Sequence, residues 1–116
     1  MNAKLREHFK IEVSKTRNFI GSGQIDAAWT SLERAHILGQ FYAWPHLYVH
    51  LLMFALGARS FDAREIIGQV SRILLAIPGS VFGRAPRGNT GRSNVGIFVP
   101  MAIPVDLQLI LEEAKE

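Results

Sequence analysis

His46 and His50 stand four residues apart. On a helix this spacing puts them one turn apart and offset by roughly 40° around the axis, so both rings leave the same face. Met53 continues that stripe, and Leu47, Val49, Leu51, Leu52 and Phe54 surround it with apolar groups. Both imidazoles are therefore expected to be buried, and a buried ring nitrogen requires a partner. A third histidine, His36, forms a Glu-x-x-His pair with Glu33. That spacing sets a carboxylate and an imidazole on one side of a helix, the arrangement used by dimetal carboxylate bundles. Imidazole and carboxylate together suit Zn(II), Fe(II), Mn(II) or Ni(II). The chain has no cysteine, which excludes thiolate zinc sites, iron–sulfur clusters, a cysteine nucleophile and a disulfide scaffold, and disfavours Cu(I).

The chain that must position these groups has 116 residues, 48% of them apolar and 20% charged. This is one domain's worth of protein with enough apolar side chain for a core, which excludes long intrinsic disorder. Leu5, Phe9, Val13 and Ile20 recur at helical spacing and predict a helix over residues 3–20, stopped at Gly21-Ser22-Gly23. Ile25, Ala28, Trp29, Leu32 and Ala35 form the stripe of a second helix over 24–38, with His36 inside it. Pro45 opens a third over 45–57, apolar on nearly every side. Asp62 and Glu65 read as a capping box for a fourth over 62–77, whose buried face is predicted to be Ile66, Val70, Ile73, Leu74 and Ile77. Residues 79–104 hold no helical period and read as an irregular Gly/Pro-rich segment lying across the bundle, followed by a short helix over 105–115. The expected fold class is all-α, a four-helix-bundle-like arrangement of up-and-down helical hairpins in a single domain.

Folding successive helices back about their turns compares the heights of polar residues. About the first turn Glu12 comes level with roughly residue 32, beside Glu33. About the second, His36 comes level with roughly residue 49, beside His50, and about the third Glu65 comes level with roughly residue 53 and Gln69 with roughly residue 49. Glu12, Glu33, His36, His50 and Glu65 thus gather within about one turn, with His46 one turn away. The resulting expectation is a divalent metal ion held by Glu33, His36, His46 and His50, with Glu12 or Glu65 completing or orienting the shell. An open coordination position on such an ion would allow redox or hydrolytic chemistry. The alternative is a non-enzymatic helical interaction module whose buried histidines are structural. The hairpin of the first two helices resembles tetratricopeptide-type units, and the apolar excess allows a homodimer.

Other features carry less. Gly83 to Thr90 has the glycine spacing of a phosphate loop, but Asn89 stands where the lysine belongs and a helix precedes it, so no nucleotide site is expected. Arg84, Arg87 and Arg92 lie in an acid-free stretch, and the net charge is +3. No aromatic stands between residues 83 and 97 to stack a base, so the loop reads as solvated and nucleic acid is not expected as a partner. No Ser-His-Asp order or paired-carboxylate hydrolase motif is present. The opening MNAKLREHFK is not a secretory signal, and Phe41 to Leu56 is too short and too interrupted to span a membrane, so a cytoplasmic location is expected.

Four blocks, ERAHILGQ at Glu33 to Gln40, PHLYVHLLM at Pro45 to Met53, REIIGQVSRI at Arg64 to Ile73 and GNTGRSNV at Gly88 to Val95, carry a wider likeness. Over roughly residues 5 to 107 the chain resembles a family of short bacterial proteins known only as a domain of unknown function. The resemblance implies a bacterial protein. Some members sit beside heavy-metal-resistance genes, which implies a link to metal homeostasis or resistance.

Overall fold

A computed structural model describes residues 1–81, 86–96 and 99–114. Gly83, Arg84, Ile97, Phe98 and Lys115, and the side chain of Ile77, which entered the expectations above, lie outside the described residues. The fold is all-α, with α1 at Ala3–Gly21, α2 at Ile25–Gly39, α3 at Ala43–Arg59, α4 at Ala63–Val81 and α5 at Val105–Ala114. No strand occurs among the described residues. None of these helices is long and apolar enough to cross a membrane.

Local chemistry sets the helix ends. The Asn2 side chain accepts the Leu5 N–H at 2.8 Å and starts α1. At its other end the Gly23 and Gln24 N–H groups bond the Ile20 and Phe19 carbonyls, closing the last turn. Asp62 caps α4 by accepting the Glu65 N–H at 3.2 Å. Only half of the predicted capping box forms, because the Asp62 N–H bonds the Gly57 carbonyl while the Glu65 side chain turns inward. Helix α4 also continues through Pro78 to Val81, past the predicted stop.

Three-residue turns fold α1 on α2 and α3 on α4, and α2 packs on α3 to join the two hairpins. Helix α5 lies against α1 and α2. The apolar core runs through Leu5, Phe9, Val13, Trp29, Leu32, Leu38, Val49, Met53, Leu56 and Leu107. At Gly39 a Cβ would meet Phe9 at 2.9 Å and Pro45 at 3.1 Å. Glycine therefore lets the end of α2 press between α1 and the start of α3, which sets His36 against His46.

Helix α4 corrects the sequence-based expectation of its orientation. Its buried residues are Glu65, Gln69, Arg72, Ala76 and Ser80, whereas Ile67, Val70, Leu74 and Leu75 are exposed. Of the stripe assigned to the core, Val70 and Leu74 are exposed and Ile66 and Ile73 are only partly buried, because the inner face of α4 meets a polar centre rather than an apolar one.

Candidate metal centre

His36 from the last turn of α2 and His46 and His50 from the first half of α3 bring their Nε2 atoms together. All three Nε2···Nε2 separations are 3.1 Å. The rings are nearly perpendicular or tilted, with centroids 4.8–4.9 Å apart, so they meet by their nitrogen edges and are not stacked. All three residues are buried. They form one cluster with the spacing of a metal site.

The opposite ring nitrogens fix the tautomers. His36 Nδ1 lies 2.6 Å from the Asn89 carbonyl. His50 Nδ1 lies 2.7 Å from Gln69 Oε1. The Gln69 amide is oriented by its other end, which donates to the Gly91 carbonyl at 2.9 Å and Glu65 Oε2 at 3.1 Å. His46 Nδ1 faces the Ala76 carbonyl at 3.1 Å and Ser80 Oγ at 2.8 Å. The Ser80 hydroxyl gives its proton to the Gln40 carbonyl at 2.7 Å. Carbonyl oxygens only accept, so each Nδ1 carries the proton and each Nε2 presents a bare lone pair. Three lone pairs then converge on one point with no hydrogen between them.

Protons are a poor remedy for that repulsion. Burial, with the two neighbouring imidazoles, holds His36 well below the ordinary imidazole value. Burial lowers His46 to about 4, and burial with His46 beside it lowers His50 to about 3. A cation held by all three nitrogens would remove the repulsion at once. Nitrogens 3.1 Å apart are close enough for His36, His46 and His50 to hold one such ion together, at ordinary metal–imidazole bond lengths. The oxygen partner on every Nδ1–H is the arrangement that orients metal-binding histidines.

The carboxylates lie outside this triangle. Glu12 is buried, accepts from Arg34 Nε at 3.1 Å, and keeps Oε2 without a partner. Glu33 is half-buried and faces Arg92 at 3.6 Å, while burial raises its carboxyl above the ordinary value. Glu65 is buried, accepts from Arg92 Nε at 2.9 Å and from the Ser93 N–H, and contacts Gln69. A continuous chain therefore runs from Glu33 through Arg92, Glu65 and Gln69 to His50. The Arg92 guanidinium also covers the Trp29 ring at 4.0 Å. It is pinned between α2 and α4, in contrast to the solvated loop expected from sequence.

The height comparison brought His36 and His50 together, and it placed His46 a turn too far. His46 closes the triangle because it shares its α3 face with His50, so both rings reach the same point. The residues that orient the rings, Gln69, Ser80 and Asn89, did not enter the ligand set from sequence. One signal was present: Glu65, Gln69, Arg72 and Ser80 make a polar stripe at helical spacing on α4. Asn89 turns its side chain on the nearby backbone, accepting from the Gly91 N–H at 2.8 Å and donating to the Gly96 carbonyl at 3.0 Å.

A family model described as protein of unknown function (DUF3703) matches residues 3–111. No curated protein and no solved structure matches the chain.

Proposed function

We propose that this chain, which belongs to the DUF3703 family, binds one divalent transition-metal ion through the Nε2 atoms of His36, His46 and His50. The observation that carries this reading is the triangle of 3.1 Å separations, in which every Nδ1 is bonded to an oxygen and every Nε2 is left bare. Neutral nitrogen ligands without thiolate favour Zn(II), Fe(II), Ni(II) or Mn(II). Three ligands leave the remaining positions of the ion to an exogenous group. Glu65 acts through Gln69, holding the amide that orients His50. Glu33 and Glu12 serve beyond the ligand set, Glu33 by anchoring Arg92 and Glu12 by anchoring Arg34. A buried site of this kind suits metal homeostasis or resistance, where capture of the ion is itself the task.

The test is elemental analysis of protein purified without a histidine tag and reconstituted with each ion in turn. About one equivalent of metal is expected, and less than roughly a tenth of an equivalent of every ion overturns the reading. Linkage supplies a second measurement. Metal at about 100 times its Kd should stabilise the fold by about 2.7 kcal/mol, a rise in melting temperature on the order of 10 °C. His50→Ala should abolish that rise.

A further inference from the structure

Helix α4 is amphipathic in the inverted sense. Among the helices it packs on α3 alone. Its inner face carries Glu65, Gln69 and Arg72, all buried, while Ile67 and Leu74 are 73% exposed and Val70 is 48% exposed. Ala63, Ile67, Val70 and Leu74 are spaced by four, three and four residues, which is the a/d spacing of a helix-pairing seam. Beside the start of the seam stands Phe61, 92% exposed and at a φ of 54°. An aromatic side chain is rarely found in that left-handed region.

We infer that this seam pairs with the α4 seam of a second copy, forming an antiparallel two-fold homodimer. Two features select that occupant. The apolar side-chain surface of the seam, with Leu75 and Phe61, is on the order of 600 Å² per copy, at the top of the range for apolar patches on monomers and at the lower end of what a stable two-fold interface buries. Within α4 the one charged residue on the exposed side is Arg64; Glu65 and Arg72 point inward. A parallel pairing would set the two Arg64 side chains side by side. An antiparallel pairing centred on Val70 places them about 18 Å apart along the axis, beyond the screening length of about 8 Å. One arginine is also too little basic charge for an anionic lipid surface, which recruits amphipathic helices through rows of Lys and Arg.

Sedimentation equilibrium of the full chain tests the pairing. A species of twice 12.9 kDa is expected, with a Kd in the range of about 1–100 µM. Ile67→Lys combined with Leu74→Lys should give a monomer with unchanged helical circular dichroism. Trp44→Ala, which removes an equally exposed side chain from α3, should leave the dimer intact. The absence of cysteine permits a second measurement independent of charge insertion. Val70→Cys should form an intermolecular disulfide on mild oxidation, because a bridge needs Cα atoms within about 7 Å, whereas Arg64→Cys should not. A wild type that stays monomeric throughout overturns the inference. So does a Lys-substituted protein that still dimerises, equal cross-linking at both positions, or a monomer that floats with phosphatidylserine vesicles.

Discussion

A metal-binding triad is only as good as the atoms behind it. Gln69 holds the His50 tautomer, so Gln69→Leu removes the acceptor and lets the ring proton move to Nε2. Metal affinity should fall by about 10–100-fold with the helices intact, measurable by competition with a chromogenic chelator. Gly91 holds the other side of the site. Its φ is +84°, and a Cβ there would stand 2.5 Å from His36 Cδ2. Gly91→Ala should therefore weaken metal binding as much as a ligand substitution while also destabilising the metal-free fold by about 1–3 kcal/mol. The depressed histidines add a pH dependence. Their folded values, about 4 for His46 and about 3 for His50, lie below the ordinary 6.5. The unfolded chain takes up protons below about pH 6.5 and the folded chain does not. Stability of the metal-free protein should be full above that pH and fall as pH drops toward 4, by up to about 1.4 kcal/mol per unit for each histidine. Urea unfolding across that range measures it, and a flat profile contradicts buried neutral imidazoles. The ring residues themselves were legible from their spacing on apolar helices. The height comparison also set Gln69 beside His50, where it lies, but neither its role as acceptor nor that of Asn89 was legible, since an amide shows its use only when its neighbour is known.

At the scale of elements, α3 and α4 share the work unequally. Helix α3 supplies two rings and the apolar core residues Val49, Met53 and Leu56. Helix α4 supplies no ring, only the oxygen acceptors for His46 and His50, so its packing depends on polar contacts. The turn between them holds Phe61 in the left-handed region, where glycine is at home. Phe61→Gly should raise the stability of the monomer by about 1 kcal/mol, read by chemical unfolding below the dimer Kd, while weakening association. The positions of the helices could be read from Gly and Pro punctuation and from apolar period. The facing of α4 could not. Val70 and Leu74 belong to the apolar stripe expected inside, yet both are exposed, and only the presence of buried imidazoles on the neighbouring helix makes Glu65, Gln69 and Ser80 the inner side.

Across the whole molecule, arginines tie distant segments to the bundle. Arg34 on α2 binds the buried Glu12 of α1 and, through the other end of its guanidinium, Asp106 of α5. The same pairing raises the Arg34 guanidinium and lowers the Asp106 carboxyl from their ordinary values. Arg34→Ala should cost about 2–3 kcal/mol, because it leaves a buried carboxylate with only Lys15 at 4.0 Å. Thermal unfolding and hydrogen exchange in α5 would register it. Residues 86–96 are held differently, through Gln40 to Pro86 and Gly88, His36 to Asn89, Gln69 to Gly91 and Arg92 to Glu65. Most of these contacts belong to the shell of the histidine triangle. Removal of bound metal should therefore speed amide exchange in this segment more than in α1.

The sequence by itself determined the all-α class and picked out the three histidines that meet, because helical period, capping residues and turn glycines act over one or two turns of chain. Tertiary structure decided the rest. Whether Glu33, Glu65 or Glu12 faces a ring or an arginine depends on Arg92 and Arg34, which arrive from 59 residues beyond Glu33, 27 beyond Glu65 and 22 beyond Glu12. Which nitrogen of each histidine bears its proton likewise depends on oxygens 53, 34 and 19 positions away along the chain. A lone pair acquires a direction only once the group behind the ring is in place.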